Sequence, residues 1–291
     1  MLDAVDLRGG KMIVAINFSD EKYINAQKLN SKTAKKWGAD RVIEYSIADI
    51  DEEFKEANKY VLNKERGAGY WLWKPYFILK TLRGISEGDY IIYSDSGAAF
   101  VNKIKYLVEI MERDNTDVMP FCITQPEIKW TKRDVFVLLD ADREDIVNSE
   151  QICGTYILIK KTKHSVDIIK KWLESAKDAR MITDDPNVMG KEDYREFVEN
   201  RHDQSIWSVL CKKNEIKPYR DPSQYGLNEQ QFPMDVRERS TYPQIIESHR
   251  QRNMKYIFQL NYSKKWYHRV CRMIYEKIEN IKGQIHGIIK K

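Results

Sequence analysis

Apolar positions along this chain gather in short runs separated by polar stretches of helical length. Lys11–Ile16 (KMIVAI), Arg41–Tyr45 (RVIEY), Tyr90–Tyr93 (YIIY), Asp117–Cys122 (DVMPFC) and Ile152–Ile159 (ICGTYILI) are rich in β-branched and aromatic residues and predict strands. Between them, Tyr23–Trp37, Asp51–Leu62, Pro75–Leu82 and Lys103–Arg113 predict helices. Val166, Ile169, Trp172, Leu173 and Ala176 recur at helical spacing and predict a further helix over Ser165–Lys177. Ser205–Lys212 predicts another, with Asp203 near its start. Thr124–Asp145 reads as mixed, Met181–Asn200 as loop-rich and Asp221–Pro243 as irregular. Strands alternating with helices predict an α/β fold with a mostly parallel central sheet flanked by helices.

Composition narrows the class. At 291 residues the chain suits one large α/β domain or two coupled lobes. A hydrophobic content of 42% with 11% aromatics excludes a disordered chain. The opening MLDAVDLRGG has early acidic residues and no apolar h-region, so no secretory signal is expected. No run approaches the roughly 18 apolar residues of a spanning helix. Cys122, Cys153, Cys211 and Cys271 are widely spaced, which argues against a disulfide framework or zinc site and fits a reducing cytoplasm.

Charge is unevenly spread. From Lys255 to Lys291, nine lysines and arginines face only Glu276 and Glu279, so the tail is basic and the remainder near neutral. Within the tail Val270, Ile274, Ile278, Ile281, Ile285 and Ile288 form an apolar stripe beside Trp266 and Tyr267. The expectation is a basic amphipathic helix over 251–291 that meets an anionic membrane surface, with packing on the body or on a second subunit as the rival. The chain is then cytoplasmic and peripheral at the inner face of the membrane. The tail carries no nucleic-acid recognition module and the body no positive excess, so no nucleic-acid partner is expected.

The candidate chemistry concentrates in Arg66–Phe100. The strand Tyr90–Tyr93 stops on Ser94-Asp95-Ser96-Gly97, placing Asp95 where open α/β sheets bind ligands. Asp95 is either an ordinary turn residue or a hard-oxygen ligand for Mg²⁺ or Mn²⁺ bridging a diphosphate. Gly97 is a turn requirement or room for a sugar against the backbone. Upstream, Gly67 and Gly69 lead to Trp71, Trp73, Lys74 and Pro75, and proline favours a helix start. Lys74 at that amino end suits a phosphate, whereas Arg66 is a phosphate contact or a solvated loop charge. Trp71 and Trp73 are core residues or base-stacking platforms. Asp203 is an N-cap worth about 1 kcal/mol, or with Gln204 it faces a cleft and holds sugar hydroxyls. His249 is a surface histidine unless a second ligand joins it.

Three segments, Gly69–Pro75 (GYWLWKP), Tyr93–Gly97 (YSDSG) and His202–Ser205 (HDQS), together resemble the GT-A nucleotide-sugar glycosyltransferases. The likeness is to family 8-like bacterial enzymes of capsule, O-antigen and lipopolysaccharide synthesis, over roughly residues 11–250. It implies a Rossmann-like catalytic domain over 1–250, with a donor-binding half at about 1–100 and an acceptor half at about 101–250. Asp95 matches the first Asp of the family's DxD metal motif, while Gly97 stands in place of the second. His249 matches the late histidine that completes the metal site. Arg66, Lys74, Ser94, Asp95, Gly97 and Gly154 are the implied donor contacts. Asp203 and Gln204 resemble the catalytic pair beneath the donor sugar.

What the resemblance implies is transfer of a hexose from a nucleoside diphosphate sugar, UDP-sugars first, with Mn²⁺ or Mg²⁺ and with retention. The implied acceptor is a lipid-linked oligosaccharide. The alternative is a non-catalytic, transferase-like scaffold that recruits polysaccharide enzymes, which the missing second Asp would suit.

Overall fold

The computed structural model describes residues 11–252. The first ten residues and the predicted basic tail, with Cys271, lie outside the described residues. Among the described residues eight strands are formed: β1 (Ile13–Phe18), β2 (Arg41–Tyr45), β3 (Tyr90–Ser94), β4 (Ala98–Phe100), β5 (Val118–Pro126), β6 (Glu150–Lys160), β7 (Tyr219–Arg220) and β8 (Ile246–Ser248). Among the described residues five helices reach nine residues or more: α1 (Ile24–Lys36), α2 (Trp73–Arg83), α3 (Lys105–Arg113), α4 (Lys163–Ala176) and α5 (Asp203–Lys213).

Six strands form the central sheet in the order β2-β1-β3-β6-β5-β7. β1 lies parallel to β2 and β3, and β5 parallel to β7, whereas β6 runs antiparallel to both its neighbours. The apolar runs are continuous because both faces are covered. Ile91, Tyr93, Ile157 and Ile159 point into one core with Phe77, Trp172 and Trp207 of α2, α4 and α5. Tyr90, Ile92, Tyr156 and Leu158 point into the other, with Leu107 and Met111 of α3. The two-residue period of a strand divides each run between these layers.

This topology gathers the candidate residues at one edge. The carboxyl ends of β1, β3, β5 and β7 all face that edge, and pairing of Ser94 with Tyr156 brings the first half of β6 there too. A separate ribbon, β4 antiparallel to β8, pairs Ala98 with Ser248 and lays the late chain on the Asp95 turn.

Two starts differ from the sequence reading. α2 begins at Trp73, with Pro75 inside its first turn, where a missing N–H breaks no helical bond. α5 begins at Asp203, and its N-cap is His202 at φ 55°, so Asp203 is not the cap. Its carboxylate is therefore released for another partner. The strands β4, β7 and β8, of three residues or fewer, are too short to leave a periodic signal.

Candidate active site

The Ser94–Gly97 turn is held from below by Asn30, a buried amide of α1. Its Nδ2 donates to Ser94 Oγ at 2.7 Å, to the Ala98 carbonyl at 3.0 Å and to the Asp95 carbonyl at 3.3 Å. Ser96 Oγ donates to the Phe18 carbonyl at 2.6 Å, and the Asp95 amide to the Thr155 carbonyl at 2.9 Å. With its backbone fixed, Asp95 presents a partly exposed carboxylate whose Oδ1 accepts the Tyr93 hydroxyl. Burial and the adjacent Asp95 charge push the Tyr93 phenol well up.

A second bend delivers Lys74. Ala68, Gly69, Tyr70 and Trp71 all have positive φ, a sequence of left-handed residues that reverses the chain before α2. Gly69, at φ 94°, has no room for a Cβ, which would lie 2.7 Å from Leu62 Cα. Trp73 Nε1 donates to the Gly67 carbonyl at 2.9 Å, and its ring stacks on Phe18 at 3.8 Å. The next residue, Lys74, then projects beneath the sheet edge with only 3% of its side chain exposed.

Lys74 Nζ lies 2.7 Å from Asp203 Oδ2 and 3.6 Å from Asp95 Oδ1. Burial works against its ammonium, but the two carboxylates outweigh it and raise the lysine pKa. Burial pushes the Asp203 carboxyl up to about 6, with Lys74 pulling against it. One ammonium thus serves two carboxylates that came from distant parts of the chain. This corrects the reading of Lys74 as an open phosphate contact at a helix start: its charge is satisfied internally.

Gly154 closes the group. Its amide donates to Gln204 Oε1 at 2.9 Å, and a Cβ there would meet Asp203 Oδ2 at 3.2 Å and Lys74 Nζ at 3.4 Å. Behind Gln204 stands a buried polar chain absent from the sequence reading. Gln204 Nε2 donates to Gln151 Oε1 at 2.7 Å, and Gln151 Nε2 donates to the fully buried Glu127 at 3.1 Å. Glu127 in turn accepts from Thr131, Ser208 and Lys212. These bonds fix which end of the Gln204 amide carries oxygen.

Two adjoining cavities open on this arrangement. The larger, about 740 Å³, is lined by Arg66, Lys74, Asp95, Arg201, Asp203 and Gln204 among others. The smaller, about 470 Å³, is lined by Phe18, Asp20, Tyr23, Trp73, Gly97 and Arg252 among others. Trp71, Asp95, Thr155, Ser248 and Arg250 belong to both walls.

Of the remaining sequence candidates, Arg66 is engaged by Asp184 at 3.1 Å and Glu199 at 2.9 Å at the rim. Ser94 is buried behind the turn as an acceptor for Asn30. His249 lines neither cavity, and its Nδ1 accepts the Gln251 amide at 3.1 Å. Arg250 was missed, because nothing local to its sequence shows that β8 will pair with β4. Its amide donates to the Gly97 carbonyl at 2.8 Å.

The described residues hold no group of three or more His, Cys, Asp or Glu side chains placed to take a metal ion. Gly97 supplies no second carboxylate, Asp95 Oδ1 is engaged by Tyr93 and faces Lys74, and His249 stands outside both cavities. These residues do not fit a resident divalent cation. Among the described residues no helix is long and apolar enough to cross a membrane.

No family model and no curated protein matches the sequence. Among solved structures, the chain is similar to mouse xyloside xylosyltransferase 1, at 10% identity over 82% of this chain and 97% of that one, with a TM-score of 0.44. It is also similar to the bifunctional glycosyltransferase WbbM, at 10% identity over 84% of this chain and 47% of that one, with a TM-score of 0.47. A third is the galactosyltransferase LgtC in complex with donor and acceptor sugar analogues, at 13% identity over 81% and 86%, with a TM-score of 0.44. All three scores fall below 0.5.

Proposed function

We propose that the protein is a GT-A-type glycosyltransferase that moves a hexose from a nucleoside diphosphate sugar, UDP-sugars first, to a saccharide acceptor. The observation that carries this reading is the Asp203–Lys74–Asp95 group at the seam between two cavities. The smaller cavity has the aromatic wall that a base and ribose need, in Phe18, Trp73 and Tyr23. Arg250 and Arg252 on its rim suit the diphosphate. The donor sugar then lies over Gly154, against Asp203 and Gln204, and the acceptor enters from the larger cavity.

In the reaction the bond from the anomeric carbon to the diphosphate oxygen breaks, and the electron pair leaves with the nucleoside diphosphate. The acceptor hydroxyl oxygen forms the new bond, and its proton passes to the departing phosphate. Positive charge develops on the sugar in between. The Gln204 oxygen, oriented by Gln151 and Glu127, and the Asp203 carboxylate suit stabilisation of that charge by groups already in place. Departure and attack on the same face give retention and need no protein nucleophile. Lys74 keeps Asp203 and Asp95 together without a second acid at Gly97.

A lipid-linked acceptor and docking of the basic tail on anionic lipid extend this proposal, supported by the tail sequence alone. Liposome sedimentation of the full chain against a truncation after Lys255 tests that extension: equal sedimentation contradicts it. The transferase reading is tested by thermal unfolding with UDP, GDP, CMP and their sugars, each with and without Mn²⁺. Stabilisation by one nucleoside diphosphate family is expected, and no stabilisation by any of them at millimolar concentration contradicts the proposal.

A further inference from the structure

The larger cavity holds one cation that the donor does not require. The Arg201 guanidinium carbon lies over the Trp130 ring, 3.9 Å from its centroid, and Nη1 donates to Gln151 Oε1 at 3.2 Å. Trp130 is itself fixed, its Nε1 donating to Gln125 Oε1 at 3.0 Å. The Arg201 amide donates to the Trp130 carbonyl at 3.0 Å, so arginine and platform move together.

The carboxylates around this arginine are engaged elsewhere. Arg66, Lys74 and Arg201 line the larger cavity with Asp95, Asp203 and Glu199, and Arg250 and Asp221 complete its charged wall. Lys74 is taken by Asp203 and Asp95, and Glu199 by Arg66. Asp221 is buried, its Oδ1 accepting the Ser223 amide at 2.7 Å, and burial raises its carboxyl. Among the described residues no carboxylate forms an ion pair with Arg201. Burial lowers its pKa, the Glu199 charge pulls the other way, and the positive charge of Arg250 adds to the lowering. A half-buried guanidinium with most of its donors unused, held rigid beside a like charge, is a prepared oxyanion site. Arg201 lines the larger cavity and not the smaller one, so it stands on the acceptor side.

We propose that the acceptor saccharide carries a negative group, a carboxylate or a phosphate, and that Arg201 on Trp130 selects it. The proposal rests on the transferase reading for the word acceptor, but not for the anion site. The test is calorimetric titration of the full chain, with and without saturating UDP, using methyl β-D-glucuronide, glucose 6-phosphate and methyl β-D-glucoside. One of the two acids binds at least about tenfold tighter than the neutral glycoside, as a charge-assisted contact requires. Arg201→Gln loses that preference and Arg201→Lys keeps part of it, while UDP affinity stays within about twofold because the donor diphosphate is not its ligand. Which acid wins separates a carboxylate from a phosphate on the sugar. Equal binding of acid and neutral glycoside overturns the proposal. So does a loss of UDP affinity in Arg201→Gln as large as the loss of preference, since the arginine then serves the donor. A chain that binds no nucleotide yet keeps the Arg201-dependent preference sinks the transferase reading and leaves the anion site standing.

Discussion

Lys74 Nζ and Asp203 Oδ2 lie 2.7 Å apart, with both side chains almost fully buried, at the point where two cavities meet. Breaking one half of a buried pair leaves an uncompensated charge and costs about 3–5 kcal/mol. Lys74→Met is therefore expected to destabilise the protein on that scale and Lys74→Met/Asp203→Asn by distinctly less than the two single changes together. Urea unfolding of the double-mutant cycle checks this, and additive changes contradict the pairing.

The pH dependence has a definite sign. The Asp203 carboxyl sits at about 6 in the folded chain, above its ordinary value, so it binds its proton more tightly folded than unfolded. Its contribution to stability is full below about pH 4 and declines as pH rises through about 6. Measured against Asp203→Asn, the stability of the natural chain falls across this window and then levels. A difference that rises with pH contradicts the assignment.

Gly154→Ala tests the room above the ion pair. The added Cβ would lie 3.2 Å from Asp203 Oδ2 and 3.3 Å from Gln204 Cβ, tight enough to push both without unfolding the sheet. Turnover is expected to fall by about tenfold or more, since misplacement near 1 Å costs up to a hundredfold, while the unfolding midpoint shifts little. Unchanged kcat places the sugar elsewhere.

Asn30→Ala removes the amide beneath the Asp95 turn and leaves Ser94 Oγ and the Ala98 carbonyl short of a donor. A stability loss of about 1–3 kcal/mol is expected, together with weaker nucleotide binding. Loss of stability with intact UDP affinity separates the turn from the donor site.

Much of the fold was legible because its central strands are buried on both faces. Runs such as Tyr90–Tyr93 and Ile152–Ile159 are then apolar throughout and cannot be mistaken for polar helix. Asp95, Lys74 and Asp203, each at an element boundary, and Gly154 inside a strand were singled out separately, yet what joins them is three-dimensional. The 2.7 Å pair spans 129 positions of the sequence and depends on α5 starting at Asp203 with His202 as its N-cap, Trp172 Nε1 donating to the Asp203 carbonyl at 3.0 Å to hold it there. Arg201, Gln151 and Glu127 sit in segments with mixed or polar patterns, so nothing local distinguishes them from solvated residues. The antiparallel course of β6 was equally hidden, because an apolar run has no direction.

Release of UDP from a panel of UDP-hexoses by the natural chain, Asp203→Asn and Gln204→Ala, alongside UDP affinity for each, tests the sugar-transfer centre itself. Slow release from at least one donor is expected from the natural chain. Both variants should lose it by about a hundredfold or more while still binding UDP, because their side chains meet the sugar and not the nucleotide. Release that survives both substitutions, or UDP binding that vanishes with them, contradicts a sugar-transfer centre at Asp203 and Gln204.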